Sequence, residues 1–344
     1  MIIGINLNHD YAYCIIEKDN IHLREIERIS RIRHHWNDSS YTLSLLDDFS
    51  IAELRKVKAI YINSPKIDDI KSKNGCLSSA KREYIFIGDF VKKSDEKGIS
   101  YGKIIVEGLE IFAAIVSHYH AHAASTFFVS PYEKADILCL DGGGDFGYGG
   151  WFTGHNNSIK LVNRYLDNQL GLSYHFFSHK VYNSNNGFFE SKVMAIASYG
   201  IKELSKKQYL NNDTSLNISL SDTKISVHDI AQFQFQFEQG VLKLIQNEKK
   251  QNQYLCCAGG CFLNVSLNRL IAESNIYKGV FIPPYTADMG TAIGCAIYAC
   301  IDLKIKLPSK KILETAFLGD NISVSAIELQ EIIMNSGDEV INLL

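Results

Sequence analysis

Residues 137–145 read Ile137-Leu138-Cys139-Leu140-Asp141-Gly142-Gly143-Gly144-Asp145. Four apolar residues in a row suit a buried strand, and an acidic, glycine-rich turn stops it. Beyond it a second strand is expected through Trp151–Thr153, a turn at His155-Asn156-Asn157, and a third strand from Ile159. The chain opens the same way. Ile2–Leu7 is an apolar run, Asn8-His9-Asp10 a polar turn, and Tyr11–Glu17 a second strand, followed by a turn at Lys18-Asp19-Asn20 and a third strand. Two unrelated hairpins would give the same pattern.

A duplicated strand–acidic turn–strand–strand unit is the pattern of the actin-like, sugar-kinase and chaperone ATPase (ASKHA) folds. These are α/β proteins in which two similar lobes face each other across a central cleft, and the two turns hold phosphate and metal. The expected division is a first lobe over 1–132, a second over 133–311, and a tail over 312–344 with an amphipathic helix near Ala326–Asn335. Between the two units, Val57–Ile62 reads as a strand and 65–100 as a polar, lysine-rich surface excursion. After the second unit, helices are predicted over 188–199 and 226–248, with a loop over 201–225. Tyr254–Cys257 should be a strand leading through Gly259-Gly260 into a helix from about Phe262. Val280–Ile282 should be a strand that Pro283-Pro284 stops, before a helix from about Asp288 to Leu303.

The 344 residues suffice for two lobes, each with its own core. Apolar residues at 46% and charged residues at 21% are ordinary for a globular protein. A net charge of −3 gives no sign of a nucleic-acid surface. No apolar run approaches the roughly 20 residues that span a bilayer, and Met1-Ile2-Ile3 enters a strand without the charged start of a signal peptide. The eight cysteines show no Cys-x-x-Cys spacing, so a reduced, cytoplasmic enzyme is expected.

Residues 118–122 read His118-Tyr119-His120-Ala121-His122. In a helix, His118 and His122 project from one face and can close on a single metal ion; a strand would align all three histidines. Ser117 is a good N-cap, and Ala121, Ala123 and Ala124 favour the helix. Glycine-rich turns after apolar strands present backbone amides to phosphate oxygens, and the carboxylates of the 141–145 turn can also reach a metal. More ordinary roles stand beside these. Gly259-Gly260 can serve tight strand–helix packing, Asp288 can be an N-cap, and Glu190 with Lys192 can form a solvated ion pair.

Taken in order, these segments resemble the O-carbamoyltransferases of the nodulation NodU and cephem CmcH type. Their first domain is similar to the threonylcarbamoyl-adenosine tRNA-modification protein. Asn8-His9-Asp10 stands at the family's His-Asp turn, and Glu27-Arg28-Ile29-Ser30-Arg31-Ile32-Arg33-His34 at its Glu-Arg-Phe-Ser/Thr-Arg-x-Lys-His. His118–Ser125 resembles His-His-Leu-Ala-His-Ala-Ala-Ser, and Asp141–Asp145 resembles Asp-Gly-x-Gly-Glu. Glu190–Met194 with Ala197-Ser198-Tyr199-Gly200 is similar to Glu-Gly-Lys-Val-Met…Ala-Pro-Tyr-Gly. Gly259–Asn264 and Pro283-Pro284…Asp288-Met289-Gly290…Ile293-Gly294 complete the series.

The resemblance implies that His118, His122 and Asp288, with Asp141, hold one divalent metal. Two imidazoles with carboxylates suit iron(II), manganese or zinc better than calcium, and the likeness favours iron. It implies that Gly142, Gly143 and Gly144 approach nucleotide phosphates, while Glu190, Lys192, Gly259, Gly260 and Asn264 line the nucleoside part of the cleft. His9, Asp10, Arg31 and His34 would lie on the acceptor or carbamoyl side, with His9 or Asp10 as base. The implied chemistry makes carbamoyl-adenylate from carbamoyl phosphate and ATP, then passes the carbamoyl group to a hydroxyl of a sugar or other small molecule.

The sequence departs from the family beyond residue 311, where nothing resembles the family's Glu-Phe-Gly-Pro-Arg-Ala-Leu-Gly-Asn-Arg-Ser stretch. A separate adenylate-forming partner, a truncated chain and a variant with another carbamoyl source all fit that departure. Within the motifs, Tyr119 and His120 replace His and Leu, Ser191 replaces Gly, and Ser198 replaces Pro. Two other functions stand beside this one: a nucleotide-binding regulatory module without turnover, and threonylcarbamoyl transfer to tRNA, which the near-neutral charge disfavours.

Overall fold

The fully buried run Ile2–Asn6 forms strand β1, which has β2 (Ala12–Glu17) antiparallel on one side and β4 (Ala59–Asn63) parallel on the other. A strand covered on both faces needs this unbroken apolar run. The computed structural model describes residues 1–7, 9–35, 44–63, 76–78, 81–88, 98–145, 147–184, 187–211, 214–217 and 225–308. Asn8, most of 65–100 and the whole of 312–344, with its expected helix, lie outside the described residues.

Beyond β2 lies β3 (Asn20–Glu25); between β1 and β4 come the short helices α1 (Glu27–Ser30) and α2 (Ile51–Leu54). Then follow β5 (Cys76–Ser78), β6 (Glu83–Gly88), β7 (Ile99–Val106) and β8 (Leu109–Val116), giving one sheet ordered β3-β2-β1-β4-β8-β7-β6-β5. Helix α3 (His118–Phe127) leads to the second sheet, formed by β9 (Lys134–Gly144), β10 (Gly147–His155) and β11 (Ser158–Arg164). Helices α4 (Leu170–Tyr182) and α5 (Glu190–Ala197), a two-stranded ribbon of β12 (Leu210–Asn211) and β13 (Ser215–Leu216), and the long α6 (Val227–Asn247) come next. The described chain closes with β14 (Tyr254–Ala258), α7 (Val265–Glu273), β15 (Gly279–Phe281) and α8 (Met289–Asp302).

The second sheet runs β11-β10-β9-β14-β15. In both sheets the order is therefore third, second, first, fourth, fifth, counting β8 as the first sheet's fifth. In both the first three strands are antiparallel and the first, fourth and fifth are parallel. This is the duplicated actin-like α/β arrangement that the two strand–turn–strand units predict.

Each half closes with a helix that packs on the other half's sheet. Helix α3 follows β8 but lies on β9 and β14; α8 follows β15 but lies on β1, β2 and β4. The two helices also pack on each other. Gly294 permits this, since a Cβ there would stand 1.9 Å from the Ala121 carbonyl oxygen. Helix α8 is apolar nearly all round and buried from Gly290 to Cys300, as a helix enclosed on every side must be.

Three differences from the sequence reading matter. The excursion over 65–100 contains β5, β6 and the start of β7, which extend the first sheet by an antiparallel run. Tyr84 and Phe86 point inward between exposed neighbours, a half-buried alternation hidden among lysines. Helix α4 was not anticipated, because its aromatic-rich segment gives no clean 3.6-residue period. The glycines 142–144 continue strand β9 rather than forming a tight turn. No helix among the described residues is long and apolar enough to cross a membrane.

Candidate functional site

Two helix starts meet in the cleft. Helix α3 brings His118 and His122 to one face, both with no solvent exposure, and settles the helix-or-strand question at 118–122. Ser117 sits at the N-cap without capping: its hydroxyl bonds Nδ1 of His120 at 2.8 Å. The first helical amide is met from the other lobe instead, His118 N donating to Asp145 at 2.9 Å. Asp288 occupies the N-cap of α8, and it too makes no side-chain capping bond. Its carboxylate faces the histidines.

The four side chains expected to meet do so. His122 Nε2 lies 3.3 Å from Asp141 Oδ2 and 3.2 Å from Asp288 Oδ1; His118 Nε2 lies 3.8 and 3.6 Å from the same atoms. One ligand atom from each lies within 4.8 Å of all the others. Donors bound tetrahedrally at about 2.1 Å to one ion stand roughly 3.4 Å apart, so the spacing fits a divalent cation. His118 Nε2 is buried with no hydrogen-bond partner, the state of a ring nitrogen whose lone pair is kept for a metal. Without a cation, burial opposes protonation of His122, but Asp141 and Asp288 outweigh it and raise its pKa to about 9. Burial likewise opposes ionisation of Asp141, and the His118 and His122 imidazoles beside it hold it well below the carboxylate range.

His9 extends the cluster into the first lobe. Its Nε2 is 3.1 Å from Asp288 and its Nδ1 is 3.2 Å from Asp10. Burial opposes its charge, yet Asp288 and Asp10 prevail and raise its pKa to about 10. Asp10 also takes His34 Nδ1 at 2.6 Å. Burial pushes the Asp10 carboxyl up, but His34 and His9 bring it down to about 2. An unbroken line of short contacts thus runs from His34 through Asp10, His9 and Asp288 to His122 and Asp141.

His34, Asp10, His9, Asp288 and Asp141 line a cleft of about 770 Å³, while His118 and His122 are fully buried. Gly142, Gly143 and Gly144 line it too, and a Cβ at Gly142 or Gly143 would meet nothing within 4 Å. Asp141 receives the amides of Gly142 and Gly260, at 2.6 and 3.1 Å. Glu190 and Asn264 line the cleft as well. The remaining expected residues lie elsewhere. Gly259 is structural: it has φ +104°, and a Cβ there would fall 2.1 Å from the Leu140 carbonyl oxygen. Lys192 does not line the cleft or pair with Glu190; its ammonium lies over the Tyr182 and Phe189 rings. Arg31 is exposed at the left-handed end of α1, and Arg33 is the arginine of that segment that reaches the cleft. Sequence reasoning also missed His175 and His179, although their i, i+4 spacing repeats that of His118 and His122.

Paired lobes, interlocked closing helices and a histidine–carboxylate cleft define a protein of the actin-like class. The chain belongs to the family described as Carbamoyltransferase N-terminus, which its residues 1–218 and 199–297 match. It is similar to nodulation protein NolO of Bradyrhizobium diazoefficiens, 27% identical over 242 residues, covering 62% of this chain and 44% of that protein. It is also similar to the uncharacterized protein sll1178 of Synechocystis, 28% identical over 218 residues, covering 52% and 35%. The matched stretch is thus under half the length of both relatives. Among solved structures, component A of the (R)-2-hydroxyglutaryl-CoA dehydratase of Acidaminococcus fermentans superposes with a TM-score of 0.48 at 9% identity, covering 91% of this chain and 98% of that one.

Proposed function

We propose that this chain is the transfer domain of a carbamoyltransferase, moving a carbamoyl group from carbamoyl-adenylate to a hydroxyl of a small molecule. Family membership supports carbamoyl transfer in general. The observation that most supports the finer reading is the buried His118 Nε2, without a hydrogen bond, within a cluster of four candidate ligands beside open glycine backbone. His118, His122, Asp141 and Asp288 would hold a divalent metal, with iron(II) favoured over manganese or zinc. When bound, such an ion supplies positive charge to phosphate and carbonyl oxygens.

The chain's own residues account for the rest. Gly142 and Gly143 leave room for phosphate oxygens against the strand, and Arg33 offers a cation at the cleft. In the transfer step the acceptor oxygen bonds the carbamoyl carbon, the bond from that carbon to the AMP phosphate oxygen breaks, and the hydroxyl proton passes to a base. His9 is the less open choice of base, since Asp10 and Asp288 engage both its nitrogens. His34 is the better candidate: Asp10 holds its Nδ1, orienting the ring as the carboxylate of a catalytic triad orients its histidine. Carbamoyl phosphate and ATP would supply the adenylate.

The test is mass spectrometry of products after incubating the chain with carbamoyl-adenylate, iron(II) and a pool of sugars and other alcohols. Carbamoylated alcohol is expected with the wild-type chain and not with Asp288→Asn. Its absence under all metals and acceptors, with carbamoyl-adenylate bound, would leave a nucleotide-binding module without turnover.

A further inference from the structure

Strands β1 and β4 end on two asparagines side by side, Asn6 and Asn63, both with no solvent exposure. Asn6 Nδ2 donates to the carbonyls of His9 and Asp10, at 2.9 and 3.1 Å. Carbonyls only accept, so these bonds fix the way the Asn6 amide faces and turn its oxygen toward Asn63, whose Nδ2 donates to it at 3.1 Å. Asn63 Nδ2 also donates to Thr291 Oγ1 at 2.8 Å, and the Thr291 hydroxyl donates to the Asp288 carbonyl at 2.7 Å. His118 Nδ1 lies 3.4 Å from the same amide nitrogen. One buried side chain therefore ties the turn that carries His9 and Asp10 to the helix start that carries Asp288.

We propose that Asn63 is a positioning residue that sets the distance between the His9–Asp10 turn and the Asp288 carboxylate. In the cleft these groups meet through their side chains, with His9 Nε2 standing 3.1 Å from Asp288 Oδ2. Behind the cleft the Asn63 amide joins the backbones that carry them, so the two paths close a ring through both residues. Packing alone does not call for an asparagine here, since a leucine fills an enclosed site without burying a polar group. Asn63 Oδ1 is in fact buried with no hydrogen bond among the described residues, a cost that the two donated bonds offset. A group that donates twice in fixed directions is what a spacer between two acceptors requires. The assignment rests on the metal reading only for what Asp288 holds once it is placed.

The experiment is calorimetric titration of the full chain with manganese(II), beside hydrogen exchange of the chelator-treated chain, in three variants. Asn63→Ala removes the spacer, and Thr291→Val keeps the shape but cuts its link to Asp288. Tyr61→Phe is the control: it breaks a bond between the same strand and helix at the far end of α8, where Tyr61 donates to Asp302 at 2.8 Å. Manganese affinity should fall about ten- to a hundredfold in Asn63→Ala, at least about threefold in Thr291→Val, and under about twofold in the control, because groups that place metal ligands have effects of this size. Exchange should quicken at the His9–Asp10 turn and at the start of α8 together in the first two variants, and at neither in the control. Quickening at the turn in Thr291→Val is the sign of a spacer, since Thr291 makes no hydrogen bond to that turn among the described residues. Affinities within about twofold of the control, or exchange that quickens at only one of the two segments, overturn the proposal. Should Asn63→Ala fail to fold, Thr291→Val decides. If the wild-type chain takes up no manganese, the metal reading falls, and exchange alone supports or overturns the role of Asn63.

Discussion

The carboxylate of Asp145 accepts the backbone N–H of His118 at 2.9 Å, so a residue of the second lobe caps the helix that carries the first lobe's histidines. The face of α3 that presents His118 and His122 is thus set by contact between lobes. Burial pushes the Asp145 carboxyl up to about 6. Asp145→Ala should destabilise the chain by about 1 kcal/mol and Asp145→Asn by less, since the amide oxygen can still cap. Urea denaturation of the two variants checks the order.

His118→Ala/His122→Ala should abolish stoichiometric divalent metal. Elemental analysis of protein purified without chelator should give close to one ion per chain for wild type and under a tenth of that for the double variant. Equal metal in both would remove the cluster from consideration.

Protons and metal should compete, and the sign can be worked out. His9 and His122 have folded pKa values of about 10 and about 9, above their ordinary 6.5. Their contribution to chelator-treated protein is therefore full below pH 6.5 and is lost as pH rises through 9 and 10. Asp10 is lowered from 3.8 to about 2, so its contribution holds above 3.8 and is lost as pH falls through 2. Metal-free protein should accordingly lose stability from pH 7 to 10. Metal affinity should rise over pH 7 to 9, because a ligating imidazole must first shed its proton. Denaturation with and without manganese at each pH measures both trends.

The glycines divide by role. Gly259→Ala should cost about 3 kcal/mol or prevent folding, because its φ and the Leu140 carbonyl both exclude a Cβ. Gly142→Ala and Gly143→Ala should melt like wild type while weakening AMP, because the added methyl occupies open space where phosphate would approach. Thermal melts paired with AMP titrations separate the two classes.

His34→Gln should slow transfer by about 10² to 10⁴ with little change in AMP affinity, and Arg31→Ala should leave the rate near wild type. Single-turnover assays with carbamoyl-adenylate measure both.

The four-residue cluster was legible in the sequence because its members carry strong local signals: the i, i+4 pair His118 and His122 after Ser117, Asp141 closing an apolar run, and Asp288 at the helix start after Pro283-Pro284. The duplicated lobes were legible from two unbroken apolar runs, each ended by an acidic turn. The first arginine was misplaced because Arg31 takes φ 59°, and this left-handed end to α1 turns the chain so that Arg33 reaches the cleft. No local pattern announces that reversal at a non-glycine residue. The His175–Glu190 contact spans 15 positions on two helices, and only their packing creates it.

Because α3 and α8 have traded places, the point midway along the chain where one sheet ends and the next begins is not a seam. Severed near residue 130, each fragment would hold the clasp its counterpart requires and lack its own, leaving an oily strand surface bare. Neither piece would be self-sufficient, yet the two produced together could rejoin.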